Sequence, residues 1–212
     1  MAGNRMKHFF KKWSFAFLDF MGGTLLLPST ASAHLVTTGL GPLYNGIGHL
    51  LISPDDLVPA LALALYCGLR GARCSRFAIF ILPLAWLLGG LCGTIFGVEP
   101  NFPLPALTLL ILGIIVATDA PLPLWVVAPM TAIIGFAHGF FNGIVMRSGS
   151  DSAILELLGT VCALFVLITF LSARVVSLKK PWARLVVRIM GSWVAASGML
   201  MIGWSLKFFL KQ

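Results

Sequence analysis

Two short stretches carry the residues whose types and spacing suit cation chemistry. The first is "YNGIGHLLISPDDLVPALALALY", residues 44 to 66, which sets His49, Asp55 and Asp56 at the mouth of an apolar run. The second is "GFAHGFFNG", residues 135 to 143, with His138 and Asn142 four residues apart. Neutral imidazole and carboxylate together suit nickel, cobalt or zinc, whereas copper(I) prefers thioether or thiolate. A structural account competes at each place. Ser53 can cap a helix, Pro54 suits its first position, and Asp55 and Asp56 then fall where the helix dipole favours negative charge. Capping leaves His49 without a role. His138 and Asn142 share one helix face. An ionisable group inside a span is a functional candidate, although a hydrogen bond to a neighbouring helix is an equal alternative.

Those stretches need a scaffold, and composition names it. Hydrophobic residues make up 58% of the 212-residue chain and charged residues only 10%. Soluble domains carry about a quarter charged residues. Long apolar runs without strict alternation indicate an all-α, polytopic helical membrane protein rather than an outer-membrane barrel. Six apolar segments are expected to be transmembrane helices, near 54–70, 77–97, 103–118, 122–146, 153–174 and 184–206. The first is short for a bilayer, so "PLYNGIGHLLI" reads as a re-entrant half-helix in front of it. Gly135, Gly139 and Gly143 recur every fourth residue and are expected to let another helix approach closely. Gly39, Gly41, Gly46 and Gly48 suggest similarly close packing before the first span.

Residues 1–33 read as a signal peptide or an uncleaved N-terminal helix: basic Arg5, Lys7, Lys11 and Lys12, an apolar stretch, then Ala31 and Ala33 in an A-x-A pattern. Residues 34–212 read as a single transmembrane domain. Cleavage after Ala33 would leave His34 at the amino terminus, where its α-amine and ring can chelate a metal. Arg70, Arg73 and Arg76 in one loop, and Arg174, Lys179, Lys180 and Arg184 in another, place both loops in the cytoplasm. The expected location is the inner (cytoplasmic) membrane, with the mature N-terminus in the periplasm. The net charge of +8 is assigned to these orienting loops, so nucleic acid is not an expected partner. The four cysteines form no C-x-x-C pair, and three lie in apolar runs as small hydrophobes. Asp119 and Glu156 read as helix-end acids that can also line an ion path. No G-x-S-x-G, H-E-x-x-H or Walker motif is present, and no catalytic residue or enzyme activity is assigned.

Taken with "GFAHGFFNG", the stretch "AHLVTTGLGPLYNGIGHLLISPDDLVPALALALYCGLRG" resembles the HupE/UreJ family, small membrane proteins associated with hydrogenase and urease maturation. The resemblance implies a nickel permease or a nickel-linked accessory protein. The family's first helical region carries a histidine followed later by Asp-His. Here His49 matches the histidine in kind, Asp55 or Asp56 matches the acid, and Asp-Asp stands in place of Asp-His. His138 and Gly139 match a later histidine–glycine stretch. The expected function is a membrane permease or accessory protein handling a divalent transition metal for metalloenzyme maturation, with nickel ahead of cobalt, zinc or copper. The expected metal-contacting residues are His34, His49, Asp55, Asp56, His138 and Asn142. Expected partners are the lipid bilayer, the metal ion and a metalloenzyme maturation protein. Two rival readings are a non-transporting subunit that docks a metalloenzyme or assembly factor, and an intramembrane metal-dependent hydrolase with an activated water.

Overall fold

The computed structural model describes residues 38–97, 103–149 and 152–209. Residues 1–33, with the expected signal, lie outside the described residues, as do His34, Glu99 and Asp151. The described chain is helical: α1 (Pro42–Ile52), α2 (Pro54–Arg70), α3 (Ala72–Phe96), α4 (Leu104–Thr118), α5 (Leu124–Gly149), α6 (Ala153–Val176) and α7 (Pro181–Phe209). Each of the six apolar segments coincides with one of α2 to α7.

Four helices are long and apolar enough to cross a membrane: α3, α5, α6 and α7. The pair α1 and α2 passes the same test jointly but bends by 75° between its halves. Proline explains the bend. Pro54 is the first residue of α2, and Ser53 before it is held extended at φ −89°, ψ 95°. At 15 residues, α4 is the short apolar helix, about 22 Å against a hydrocarbon core of roughly 30 Å.

The most extensive packing is between α3 and α5, followed by α4 with α7 and α1 with α6. The α3/α5 seam is a glycine zipper. A Cβ on Gly139 would collide with the Trp86 carbonyl, and one on Gly143 with the Gly90 carbonyl. Gly89 and Gly93 return the same relationship toward Phe136 and Phe140. Small residues let two backbones touch where lipid gives no hydrophobic drive for association. The α1/α6 seam is built likewise. Gly46 lies against the Glu156 backbone, Gly159 lies against the Leu43 backbone, and the Thr160 hydroxyl donates to the Gly46 carbonyl over 3.0 Å. The glycines before the first span therefore divide. Gly46 serves packing, while Gly41, at φ 108°, serves chain direction in open space.

Candidate cation site

His138 sits near the middle of α5 and is 1% exposed. Three other helices supply its surroundings. From α2, Asp56 Oδ1 accepts from Nδ1 at 2.8 Å. From α4, the Thr108 hydroxyl lies 3.0 Å from Nε2. From α3, Trp86 stacks on the imidazole, with ring centroids 5.5 Å apart and planes 24° from parallel. Asn142, one turn along α5, donates to Asp56 Oδ2 at 2.6 Å and to the His138 carbonyl at 3.2 Å. Between α2 and α5, which have little direct packing, these polar bonds are the main link.

His49 reaches the same carboxylate from α1. Its Nε2 is 3.9 Å from Asp56 Oδ2, too long for a hydrogen bond but close enough for charge interaction. The side chain is 13% exposed, against 9% for Asp56. The His49 ring is thus the more accessible of the two imidazoles that converge on Asp56.

The two neighbouring aspartates separate cleanly. Successive helical residues point about 100° apart, so Asp55 and Asp56 cannot both face the bundle. Asp56 is buried and Asp55 is exposed. Ser53 makes no side-chain capping bond, while its carbonyl accepts from the backbone of Asp56 and Leu57. The Asp56 carboxylate is committed to His138 and Asn142. Capping therefore does not account for it.

Protonation follows from donor and acceptor arithmetic. A carboxylate only accepts, so Nδ1 of His138 carries a proton. In the neutral ring, Nε2 then holds a lone pair and takes a hydrogen bond from the Thr108 hydroxyl. That hydroxyl has other acceptors: the Pro105 carbonyl at 3.0 Å and the Leu104 carbonyl at 3.1 Å. Histidine ligands of metals usually give the proton of one ring nitrogen to a carboxylate or carbonyl, which orients the ring and leaves the other nitrogen for the cation. Asn142 Oδ1, by contrast, is buried and accepts no hydrogen bond among the described residues. Such an acceptor costs about 1–3 kcal/mol if it stays unsatisfied.

As they stand, no three His, Cys, Asp or Glu side chains among the described residues are grouped to hold a metal ion. The Asp56 carboxylate and both ring nitrogens of His138 are taken up by hydrogen bonds within the set, and Asn142 Oδ1 is left over. Sequence reasoning missed two of its members, Thr108 and Trp86. Thr108 is the hydroxyl inside the apolar run of α4, one turn from its start, whereas Thr118 is the last residue of the helix, and that placement is a signal that could have found it. Trp86 is 1% exposed, whereas Trp125, Trp182, Trp193 and Trp204 are 63% exposed or more, and no spacing in the sequence separates the one from the others. Asn45, four residues before His49, accepts from the Thr38 amide and hydroxyl. Glu156, one turn inside α6, is buried on the α1/α6 seam, and its Oε2 has no hydrogen-bond partner among the described residues. Asp119 ends α4 in a left-handed turn and binds Arg70 and Arg184, so it is held by two cationic side chains.

Several apolar helices long enough to cross a bilayer, with a buried carboxylate, imidazole and carboxamide between them, define a multi-pass membrane protein with a polar intramembrane centre. The family model described as HupE / UreJ protein matches residues 23–201, and the chain belongs to that family. A similar curated protein is "Protein HupE" of Rhizobium leguminosarum bv. viciae, 28% identical over 181 residues, covering 82% of this chain and 91% of that protein. No solved structure matches the chain.

Proposed function

We propose that this chain is a membrane permease or accessory protein that handles a divalent transition metal, nickel first, for hydrogenase or urease maturation. The observation that carries the reading is the convergence of His49 and His138 on Asp56 from separate helices. In the proposed topology α2 to α7 span the inner membrane, α1 dips in as a re-entrant half-helix, and the α1 side faces the periplasm. Residues 1–33 serve as the signal segment, residues 34–212 as the single membrane domain, and the chain acts as a carrier rather than an enzyme. The shared position of the two arginine clusters supports this orientation, because Arg70 and Arg184 meet at one carboxylate.

In this reading the ion first meets His34, at the processed amino terminus, and the exposed Asp55. It passes to His49 and Asp56, then to His138. Thr108 can rotate its proton to the Leu104 or Pro105 carbonyl, which leaves the Nε2 lone pair for the cation without stranding the hydroxyl. Asp56 supplies the fixed negative charge that offsets the cost of bringing a dication into low dielectric. Asn142 Oδ1 offers a neutral oxygen beside it. The likeness to a protein named HupE supports the assignment to hydrogenase maturation.

The test is nickel accumulation in cells producing the wild-type chain, His138→Ala or Asp56→Asn, with protein levels measured in the membrane fraction. Loss of accumulation at normal levels supports the reading. Unchanged accumulation overturns it.

A further inference from the structure

The far end of the bundle carries a charge imbalance. Arg70 and Arg184 share the single carboxylate of Asp119. Around them, Arg184 donates to the Leu69 carbonyl at 3.0 Å, Tyr66 to the Ala120 carbonyl at 2.8 Å, and Arg188 to the Ala117 carbonyl at 2.9 Å. These bonds fix the end of α2, the α4–α5 turn and the start of α7 together. One carboxylate cannot neutralise two guanidinium groups. A third, Arg73, is exposed and has no acidic partner among the described residues.

A cavity of about 280 Å³ adjoins this cluster, lined among others by Arg70, Arg73, Cys74, Leu122, Leu124 and Val127. Arg70 Nε is buried and makes no hydrogen bond among the described residues. The cavity therefore brings together the side chain of Arg70, an unpaired cation at Arg73 and an apolar wall. Surplus positive charge at the half-buried end of a membrane helix is costly without a counter-anion. Phosphate oxygens accept from guanidinium more strongly than neutral groups do.

We infer that this cavity holds the phosphate of an anionic phospholipid. The Arg73 guanidinium donates to its oxygens, Arg70 adds positive charge beside it, and its acyl chain runs along Leu122, Leu124 and Val127. The membrane makes the lipid the occupant. Both arginine-bearing loops belong at the membrane surface, where phospholipid is the concentrated source of phosphate. The apolar wall would stay wet against a free anion and dry against a lipid. The site is distinct from the Asp56 cluster, since Arg70 and Asp56 lie at opposite ends of the 17-residue α2, about 25 Å long.

The experiment uses the full chain, purified and exchanged into detergent with phosphatidylglycerol or phosphatidylcholine, and reads retained lipid by native mass spectrometry. One phosphatidylglycerol per chain is expected to stay bound while phosphatidylcholine is lost. Arg73→Gln should weaken retention about tenfold, as for a lost charge-assisted bond, and Arg73→Lys should keep most of it. Arg73 makes no bond in the Asp119 cluster, so an unchanged unfolding temperature is expected for both variants. Equal retention of the two lipids, or unchanged retention in Arg73→Gln, overturns the inference. Displacement of the lipid by inorganic phosphate overturns the lipid assignment in favour of a free-anion site. None of these outcomes depends on metal accumulation.

Discussion

His138 and Asp56 stand 82 residues apart in the chain and 2.8 Å apart in space. Each is buried, and each would be expensive in a membrane without the other. The pair also decides which aspartate matters, since only Asp56 reaches the imidazole.

Asp55 and Asp56 should therefore differ in kind. Asp56→Asn removes the fixed charge beside both imidazoles and is expected to abolish nickel accumulation. Asp55→Asn, at an exposed position, is expected to raise the nickel concentration for half-maximal uptake a few-fold and leave the maximal rate intact. Concentration-dependent uptake in cells separates the two. Equal effects of both substitutions would contradict the assignment.

Thr108→Val keeps the shape of the side chain and deletes the hydroxyl facing His138 Nε2. The expected loss is about 1 kcal/mol of stability, the net worth of one hydrogen bond. Thermal unfolding of the purified protein measures it. Nitrogen chemical shifts of labelled histidine should show the Nε2 signal of His138 move while that of His49 stays.

Gly139→Ala places a methyl group on the Trp86 carbonyl and forces α3 and α5 apart. Overpacking of this kind costs about 1–3 kcal/mol. The α3/α5 seam also holds Trp86 over His138, so the variant should lose both thermal stability and metal uptake. Gly203→Ala, with open space around it, should lose neither. Unfolding curves for the two variants make the comparison.

Asp119→Asn leaves Arg70 and Arg184 facing each other without an anion between them. The cluster is part-exposed, so the expected destabilisation is about 1–2 kcal/mol, between that of a surface pair and a buried one. Replacing Arg184 by Gln in the same chain should restore part of it. A double-mutant cycle read by thermal unfolding gives the coupling.

Much of the architecture was legible from the chain alone. Apolar runs, Pro54 and the arginine loops report local properties: the cost of unpaired backbone in lipid, the missing proline N–H, and loop charge. They marked the helices, the break at Ser53 and the shared end of the basic clusters. The glycine spacing in α5 announced a close helix neighbour but not that the neighbour is α3. Spacing on one helix likewise put His138 and Asn142 on one face, because 3.6 residues make a turn. What the linear order left open was rotation and partnership. Whether Asp55 or Asp56 turns inward, whether Trp86 meets lipid or imidazole, and that Thr108 completes the cluster all depend on how separate helices pack. Those contacts join residues 30 to 86 positions apart, and no local pattern encodes them. The sequence determined a polytopic helical membrane protein, since composition and periodicity suffice for that, and the family resemblance rested on its two histidine-bearing stretches. Only the tertiary structure decided which histidines share a carboxylate, since that is set by interhelical packing.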